Sequence, residues 1–210
     1  RAEVKDMLSY LAVINNPADD LRLRRIINTP ARGIGETTIE KLMSLAWQYH
    51  SPLYAILQNV AQFPELKNAA GKLNQFIDMM DRLRGLAEVT TPDLLYDEVC
   101  RESGYVAALE NKKDLESRGR LENIQELKSN IVSFMQNNPE NPTLAGFLDE
   151  VALYSDLDDS SAADGAVSLM TMHSAKGLEF PCVYLVGMEE GIFPGMRAVS
   201  EQAEMEEERR

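Results

Sequence analysis

The stretch VSLMTMHSAKGLEF, residues 167–180, decides the architecture expected for this 210-residue chain. An apolar run rich in strand-forming residues reaches a polar turn, and a second apolar run follows at residues 182–186. This pattern predicts a strand, a turn with a short helix, and another strand. Before residue 165 the apolar residues recur at helical spacing instead. We therefore expect a mainly α protein, with helical residues 1–165 followed by a short α/β segment at residues 166–210.

The helical block shows repeated stripes of apolar residues with polar or proline-containing breaks between them. We expect Asp19 to cap the second helix, Ser51 to cap the fourth and Thr143 to cap the last one. Residues 156–165 are acidic, small and polar, and they predict a flexible boundary between the two parts. The first and third stripes are Val4, Met7, Leu8 and Leu11, and Ile39, Leu42, Met43 and Ala46.

The composition excludes several classes of protein. A net charge of −13 argues against a surface that coats nucleic acid generally. Two cysteines and two histidines stand in no ligand spacing, which indicates a reduced, cytoplasmic setting and no metal site. No apolar run approaches the ~20 residues needed to span a membrane, so no membrane association is expected. Both termini look cut, and we expect a piece of a longer protein.

Positive charge is nevertheless concentrated in residues 21–35, which contain four arginines and no acidic residue. The sequence RGIGETT follows within residues 32–38, just before the third helical stripe. Its two glycines let the backbone approach a ligand and open amides at the start of a helix, where a phosphate binds well. Thr37 or Thr38 would add a hydroxyl donor. The alternatives are a solvated arginine face and a simple tight turn with Ile34 pointing inward.

The turn after the first predicted strand carries polar groups that suit a phosphate or sugar-phosphate ligand. Thr171, His173 and Ser174 lie where ligands bind in open α/β sheets, and Glu179 is placed to accept hydrogen bonds from a ribose. A hydrolytic His–Ser dyad is disfavoured because the two residues are neighbours without an orienting carboxylate. A structural role for His173 stays open. The spacing of a nucleoside-triphosphate phosphate loop is absent.

These residues resemble those of a known family. TMHSAKGLEFP at residues 171–181, with AVSLM before it and CVYLVGMEEGIFP after it, resembles motif V of the superfamily 1 DNA helicases of the UvrD/PcrA/Rep group. AEMEEERR at residues 203–210 resembles the helix that leads into their motif VI. Residues 2–38 and the segment SRGRLENIQEL at residues 117–127 resemble their 2B subdomain. The resemblance covers essentially the whole chain in the family's order.

The resemblance implies an ATP-dependent 3′-to-5′ DNA helicase or translocase that acts in DNA repair or replication. Residues 1–165 would be a 2B subdomain, and residues 166–210 part of the RecA-like 2A subdomain. By position, motif V would contact single-stranded DNA through Thr171 and His173, and ATP through Gly177 and Glu179. The residues expected to hold duplex DNA are Arg32, Gly33, Ile34, Gly35 and Thr38.

The same resemblance limits what this chain is expected to do alone. ATP and Mg²⁺ would serve the longer parent, and none is expected on this chain, because its catalytic set is incomplete. The expected partners are single-stranded DNA and its junction with duplex, the remaining 1A, 1B and 2A parts, and repair or transcription proteins. An alternative is that the helical block is a regulatory protein-interaction module with little DNA binding of its own. A RecB-like relative would need a nuclease domain, which the sequence does not contain.

Overall fold

The computed structural model describes residues 1–112, 114–158, 167, 169–172, 175, 178–189, 191, 193 and 205–206, with the backbone alone for 154–158. The chain divides into two compact units, Arg1–Asp158 and Asp159–Arg210. Helices dominate the described residues, so the prediction of a mainly α protein is confirmed. Within the described ranges, no helix combines the length and apolar character required to cross a membrane.

The described part of the first unit contains nine α-helices joined by short connections. Two 3₁₀ segments, Val60–Gln62 and Pro64–Ala69, lie between the fourth and the fifth α-helix. The helices are α1 (Ala2–Asn15), α2 (Asp20–Ile26), α3 (Glu36–Gln48), α4 (Leu53–Gln58), α5 (Ala70–Ala87), α6 (Pro92–Glu102), α7 (Tyr105–Glu110), α8 (Leu115–Asn137) and α9 (Leu144–Asp158).

Helix α1 is the centre of this unit and packs against α2, α5, α6, α8 and α9. Apolar side chains point in most directions around its axis, which is typical of a helix enclosed by its neighbours. No residue in the following group is more than 4 % exposed: Met7, Tyr10, Leu11, Val13 and Ile14. The buried carboxylate of Asp6 accepts hydrogen bonds from Arg25 Nε and the Tyr105 hydroxyl, each at 2.6 Å. A charge in the core is therefore paired and hydrogen-bonded.

The structure contains two of the three helix caps that the sequence predicts. The Asp19 side chain accepts a hydrogen bond from the Arg22 amide, and the Thr143 hydroxyl accepts one from the Gly146 amide, so both predicted caps are confirmed. The prediction for Ser51 was wrong. The amide of Leu53, where α4 begins, donates instead to Asp20 Oδ1 of α2 at 2.9 Å. A tertiary contact replaces the local cap.

The buried face of α3 lies slightly to one side of the predicted stripe. Ile39, Leu42 and Ala46 are buried as expected. Met43 was predicted to be buried but is 40 % exposed, whereas Leu45 is 6 % exposed. The packing of α3 against α4 and the segment Pro64–Ala69 decides which side of the helix is covered.

The described residues of the second unit include only part of the segment where the turn was predicted. The amide of Ala175 donates to the Thr171 carbonyl at 3.1 Å, and the amide of Leu178 donates to the Ala175 carbonyl at 3.0 Å. Beyond the single bridge residue Gly191, no strand is present among the described residues 167–193. Strand geometry depends on hydrogen bonds to a neighbouring strand, which a local pattern does not supply.

Candidate nucleic-acid interface

The loop between α2 and α3 is fixed at its centre and open on either side. Ile34 is completely buried and belongs to the core of the first unit. Gly33 and Gly35 on its two sides are exposed, and Gly33 has a φ of +70°, a conformation that favours glycine. The inward position expected for Ile34 in a tight turn is thus observed. With Ile34 pointing inward, the backbone of both glycines faces solvent.

The side chain of Asn28 organises the amides of this loop. Its Oδ1 accepts hydrogen bonds from the amides of Arg32 at 2.8 Å and Ile34 at 3.2 Å. Four neighbouring exposed residues have amides with no hydrogen-bond acceptor in the described part of the chain: Gly33, Gly35, Glu36 and Thr37. Unpaired amides at the start of a helix favour anions such as phosphate.

Arg32 connects the loop to the rest of the unit. Its Nη1 donates to the carbonyls of Ile26 at 3.0 Å and Pro30 at 3.2 Å. Its Nη2 donates to the Tyr10 hydroxyl at 2.6 Å and to the Ser103 carbonyl at 2.9 Å. All four terminal N–H groups of the guanidinium therefore have acceptors inside the protein.

The surroundings of Arg32 confirm this internal role. Its guanidinium carbon lies 5.3 Å from the centre of the Phe76 ring. The Tyr10 hydroxyl extends this hydrogen-bond network by donating to the Thr29 carbonyl at 2.6 Å. Burial raises the pKa of Tyr10 to about 12, although the nearby Arg32 charge opposes the rise. Arg32 thus holds the loop against α1 and the residues after α6.

The arginines of α2 do not form a free basic patch. The sequence suggested a local excess of positive charge at residues 21–35, but each of these side chains has a carboxylate partner. The ion pairs are Arg22 with Asp19 at 3.3 Å, Arg24 with Glu36 at 3.0 Å and Arg25 with Asp6 at 2.6 Å. Asp19 lies just before α2, Glu36 at the start of α3 and Asp6 in α1. All three carboxylates therefore lie outside residues 21–35.

The structure brings together all five residues of the predicted duplex site, since Arg32, Gly33, Ile34 and Gly35 form the loop and Thr38 lies in the first turn of α3. The amide of Thr38 donates to the Gly35 carbonyl at 2.9 Å. In the second unit, Thr171 and Glu179 are exposed. His173 and Gly177 lie outside the described residues. The described residues contain no group of three or more acidic, histidine or cysteine side chains that could hold a metal ion.

Two residues of the loop's surroundings were missed by the sequence reasoning. Asn28 stands in the turn segment Asn28-Thr29-Pro30, and an asparagine that bonds to nearby backbone amides is a recognisable turn signal. Lys72, in the first turn of α5, donates from Nζ to the Gly33 carbonyl at 2.9 Å. It is 39 residues away in sequence from Gly33. No local pattern indicates that contact.

Comparison with known proteins identifies the family. The profile described as UvrD-like helicase C-terminal domain matches residues 1–210. The chain belongs to this family. It is 40 % identical over 216 residues to the ATP-dependent DNA helicase PcrA of Bacillus subtilis strain 168. It is 42 % identical over 213 residues to PcrA of Staphylococcus epidermidis strain ATCC 12228, and 41 % identical over the same length to PcrA of Staphylococcus aureus strain MRSA252.

The family match applies to both units of this chain. Each of the three alignments covers 100 % of this chain but only 29 % of the relative. The chain therefore spans less than a third of the length of these helicases. The resemblance to the UvrD/PcrA/Rep group that the motifs indicate is confirmed at the level of the family.

Proposed function

We propose that this chain is the part of an ATP-dependent 3′-to-5′ DNA helicase that holds duplex DNA and couples single-stranded DNA to ATP. The family and the PcrA relatives support a helicase parent. Residues 1–165 act as the 2B subdomain and residues 166–210 as part of the 2A subdomain. The parent works in DNA repair or replication and uses ATP and Mg²⁺. Its DNA partner is a junction between single and double strands.

The observation that carries the duplex contact is that four amides around Ile34 have no acceptor among the residues that the structure describes. Backbone amides donate to phosphate oxygens without regard to the bases, so the contact is independent of sequence. The buried Ile34 side chain and the Arg32 network fix the backbone before DNA arrives. Such a contact needs no large basic surface, and it therefore suits a chain with a net charge of −13.

A matched pair of glycine variants tests this contact. Gly35 has an ordinary φ of −77°, and among the described residues no atom outside its chain neighbours lies within 4 Å of an added Cβ. Gly35→Glu is therefore tolerated sterically and puts a carboxylate beside the open amides. Gly85→Glu makes the same change on α5, also without a neighbour within 4 Å. In a titration of labelled duplex at low salt, we expect Gly35→Glu to weaken binding at least about tenfold and Gly85→Glu to have little effect. Equal losses would contradict the loop assignment.

For the second unit we propose that Thr171 and His173 face the single strand and that Gly177 and Glu179 lie near ATP. The sequence contains no phosphate loop, so the chain alone should not hydrolyse ATP. Purified chain should show no ATP turnover above background when single-stranded DNA is added. Turnover that disappears in Glu179→Ala would contradict this assignment.

The second candidate function is a regulatory protein-interaction module. Two large apolar side chains on the first unit favour it, since Leu21 is 82 % and Trp47 is 80 % exposed. Exposed aromatic residues are enriched at protein interfaces. The duplex titration separates the two functions, because an interaction module with little DNA binding would give no saturable signal even at low salt.

A further inference from the structure

We propose that Lys72 is a further phosphate-binding residue of the duplex site, held over the loop by the carbonyl of Gly33. This inference rests on the proposed duplex contact and adds a side-chain cation to it. Lys72 stands in α5, outside the segment that resembles the family's loop. Its assignment comes from the geometry of the folded chain.

The contact with Gly33 positions the ammonium without exhausting its donors. Nζ donates to the Gly33 carbonyl at 2.9 Å. An ammonium carries three N–H groups, so two remain for another acceptor. A Cβ added to Gly33 would lie 2.6 Å from Nζ, which shows that the ammonium sits directly over the glycine. The side chain of Lys72 is exposed, and its remaining N–H groups are accessible from solvent.

Lys72 is also an exposed cation at this loop without a carboxylate partner among the described residues. Among the described residues, no carboxylate lies within ion-pair distance of its Nζ. Arg32 is bonded to internal carbonyls. By contrast, Arg24 pairs with Glu36 at 3.0 Å and Arg82 pairs with Glu102 at 3.0 Å.

The position of Lys72 in its helix also favours phosphate binding. It lies in the first turn of α5, an 18-residue helix whose first turn has no acidic residue. The N-terminus of a helix carries a partial positive charge, so a lysine there is unfavourable for the helix itself. The Gly33 carbonyl offsets part of this repulsion. A phosphate bound beside the loop would offset the rest.

The groove along α5 defines where the phosphate would lie. Lys72, Gln75, Asp78, Arg82 and Glu102 are among the residues that line a groove of about 440 Å³. Asp78 and Glu102 make its far part unfavourable for an anion. The favourable part is therefore the end at Lys72, next to the open amides of the loop.

Salt dependence of duplex binding tests the role of Lys72. Each phosphate contact made by a cation contributes about 0.9 to the slope of log affinity against log salt concentration. We expect Lys72→Gln to reduce the magnitude of this slope by about one and Lys72→Arg to preserve it. Lys112→Gln is the matched control, since Lys112 is an exposed lysine in the turn after α7 with no ion pair among the described residues.

The possible outcomes separate the two proposals. A weaker affinity with an unchanged slope in Lys72→Gln would mean that Lys72 only shapes the loop, and would overturn the inference while leaving the duplex contact standing. An equal fall in slope for Lys112→Gln would assign the effect to general charge and overturn it as well. If the unsubstituted chain binds no duplex at low salt, the proposed function fails and the role of Lys72 fails with it. Circular dichroism of each variant checks that the helices are intact.

Discussion

Helix α2 and the loop that follows it differ in what they offer to DNA. The helix carries Arg22, Arg24 and Arg25, and each of them is paired with a carboxylate. The loop has little net charge, yet Gly33 and Gly35 in the loop and Glu36 and Thr37 at the start of α3 have amides without an acceptor in the described part of the chain. Lys72, which has no carboxylate partner there, donates to the loop at Gly33. The comparison teaches that the number of basic residues in a segment does not measure the donors available to a ligand. Folding decides which of them remain available.

The difference has a structural cause. The arginines of α2 link this short helix to its neighbours, with partners on α1, on α3 and at its own N-terminus. The amides of Gly33 and Gly35 are open because both residues have non-helical backbone on either side of a buried isoleucine, Gly33 with a φ of +70° and Gly35 extended. One segment uses its polar groups in ion pairs, and the other leaves amides accessible to a ligand.

The largest effect expected from this comparison is on stability. Arg32→Ala removes a donor from four internal acceptors, and we expect it to lower the free energy of unfolding by about 3 kcal/mol. Arg22→Ala removes a largely exposed ion pair and should cost about 0.5 kcal/mol. Urea unfolding followed by circular dichroism measures both. Similar losses for the two variants would show that Arg32 is not the internal link described above.

The second effect concerns the alkaline stability of the network around Arg32. The folded-state pKa of Tyr10 is about 12, whereas an unfolded tyrosine titrates near 10. Between these values the unfolded state has released its proton and the folded state has kept it, so stability falls as pH rises. The contribution of Tyr10 should reach about 1.4 kcal/mol per pH unit.

Tyr10→Phe separates the contribution of Tyr10 to stability from the titration of other groups. The variant should lose less stability between pH 10 and pH 12 than the unsubstituted chain does when unfolding is measured at each pH. Parallel curves for the two proteins would contradict the burial of the Tyr10 hydroxyl in the Arg32 network.

The third effect sharpens the comparison at a single glycine. Gly33 has a φ of +70°, so Gly33→Ala should cost about 1 kcal/mol of stability and displace Lys72. Duplex affinity should fall with it. Gly85→Ala, in the last turn of α5, should instead raise stability by about 0.5 kcal/mol and leave affinity unchanged. Thermal unfolding and anisotropy titrations give the two readouts, and an unaffected affinity in Gly33→Ala would argue against the loop.

Much of this organisation follows from local sequence. The stripes predicted α1 and α3, Asp19 and Thr143 cap the helices that they were expected to cap, and the inward position of Ile34 follows from its place between two glycines. These features depend on residues only a few positions apart. Periodicity and capping chemistry therefore suffice to find them.

The remaining features depend on contacts between distant parts of the chain. Asp20 replaces Ser51 at the start of α4 because α2 packs beside it. Arg32 donates to the carbonyl of Ser103, 71 residues away. The approach of Lys72 to Gly33 likewise requires α5 to fold against the loop. Local sequence patterns do not specify contacts between residues so far apart in the chain, and these contacts are seen only in the folded structure.

The smallest effect provides the most direct test of the central claim, that available donors rather than basic residues bind the duplex. Labelled duplex DNA is titrated with the unsubstituted chain and with Arg22→Gln/Arg24→Gln, at salt concentrations between about 50 and 200 mM. Because both arginines are already paired, we predict an affinity within about threefold and an unchanged salt slope. A slope smaller in magnitude by about two would show that these arginines contact phosphate, and would contradict the claim.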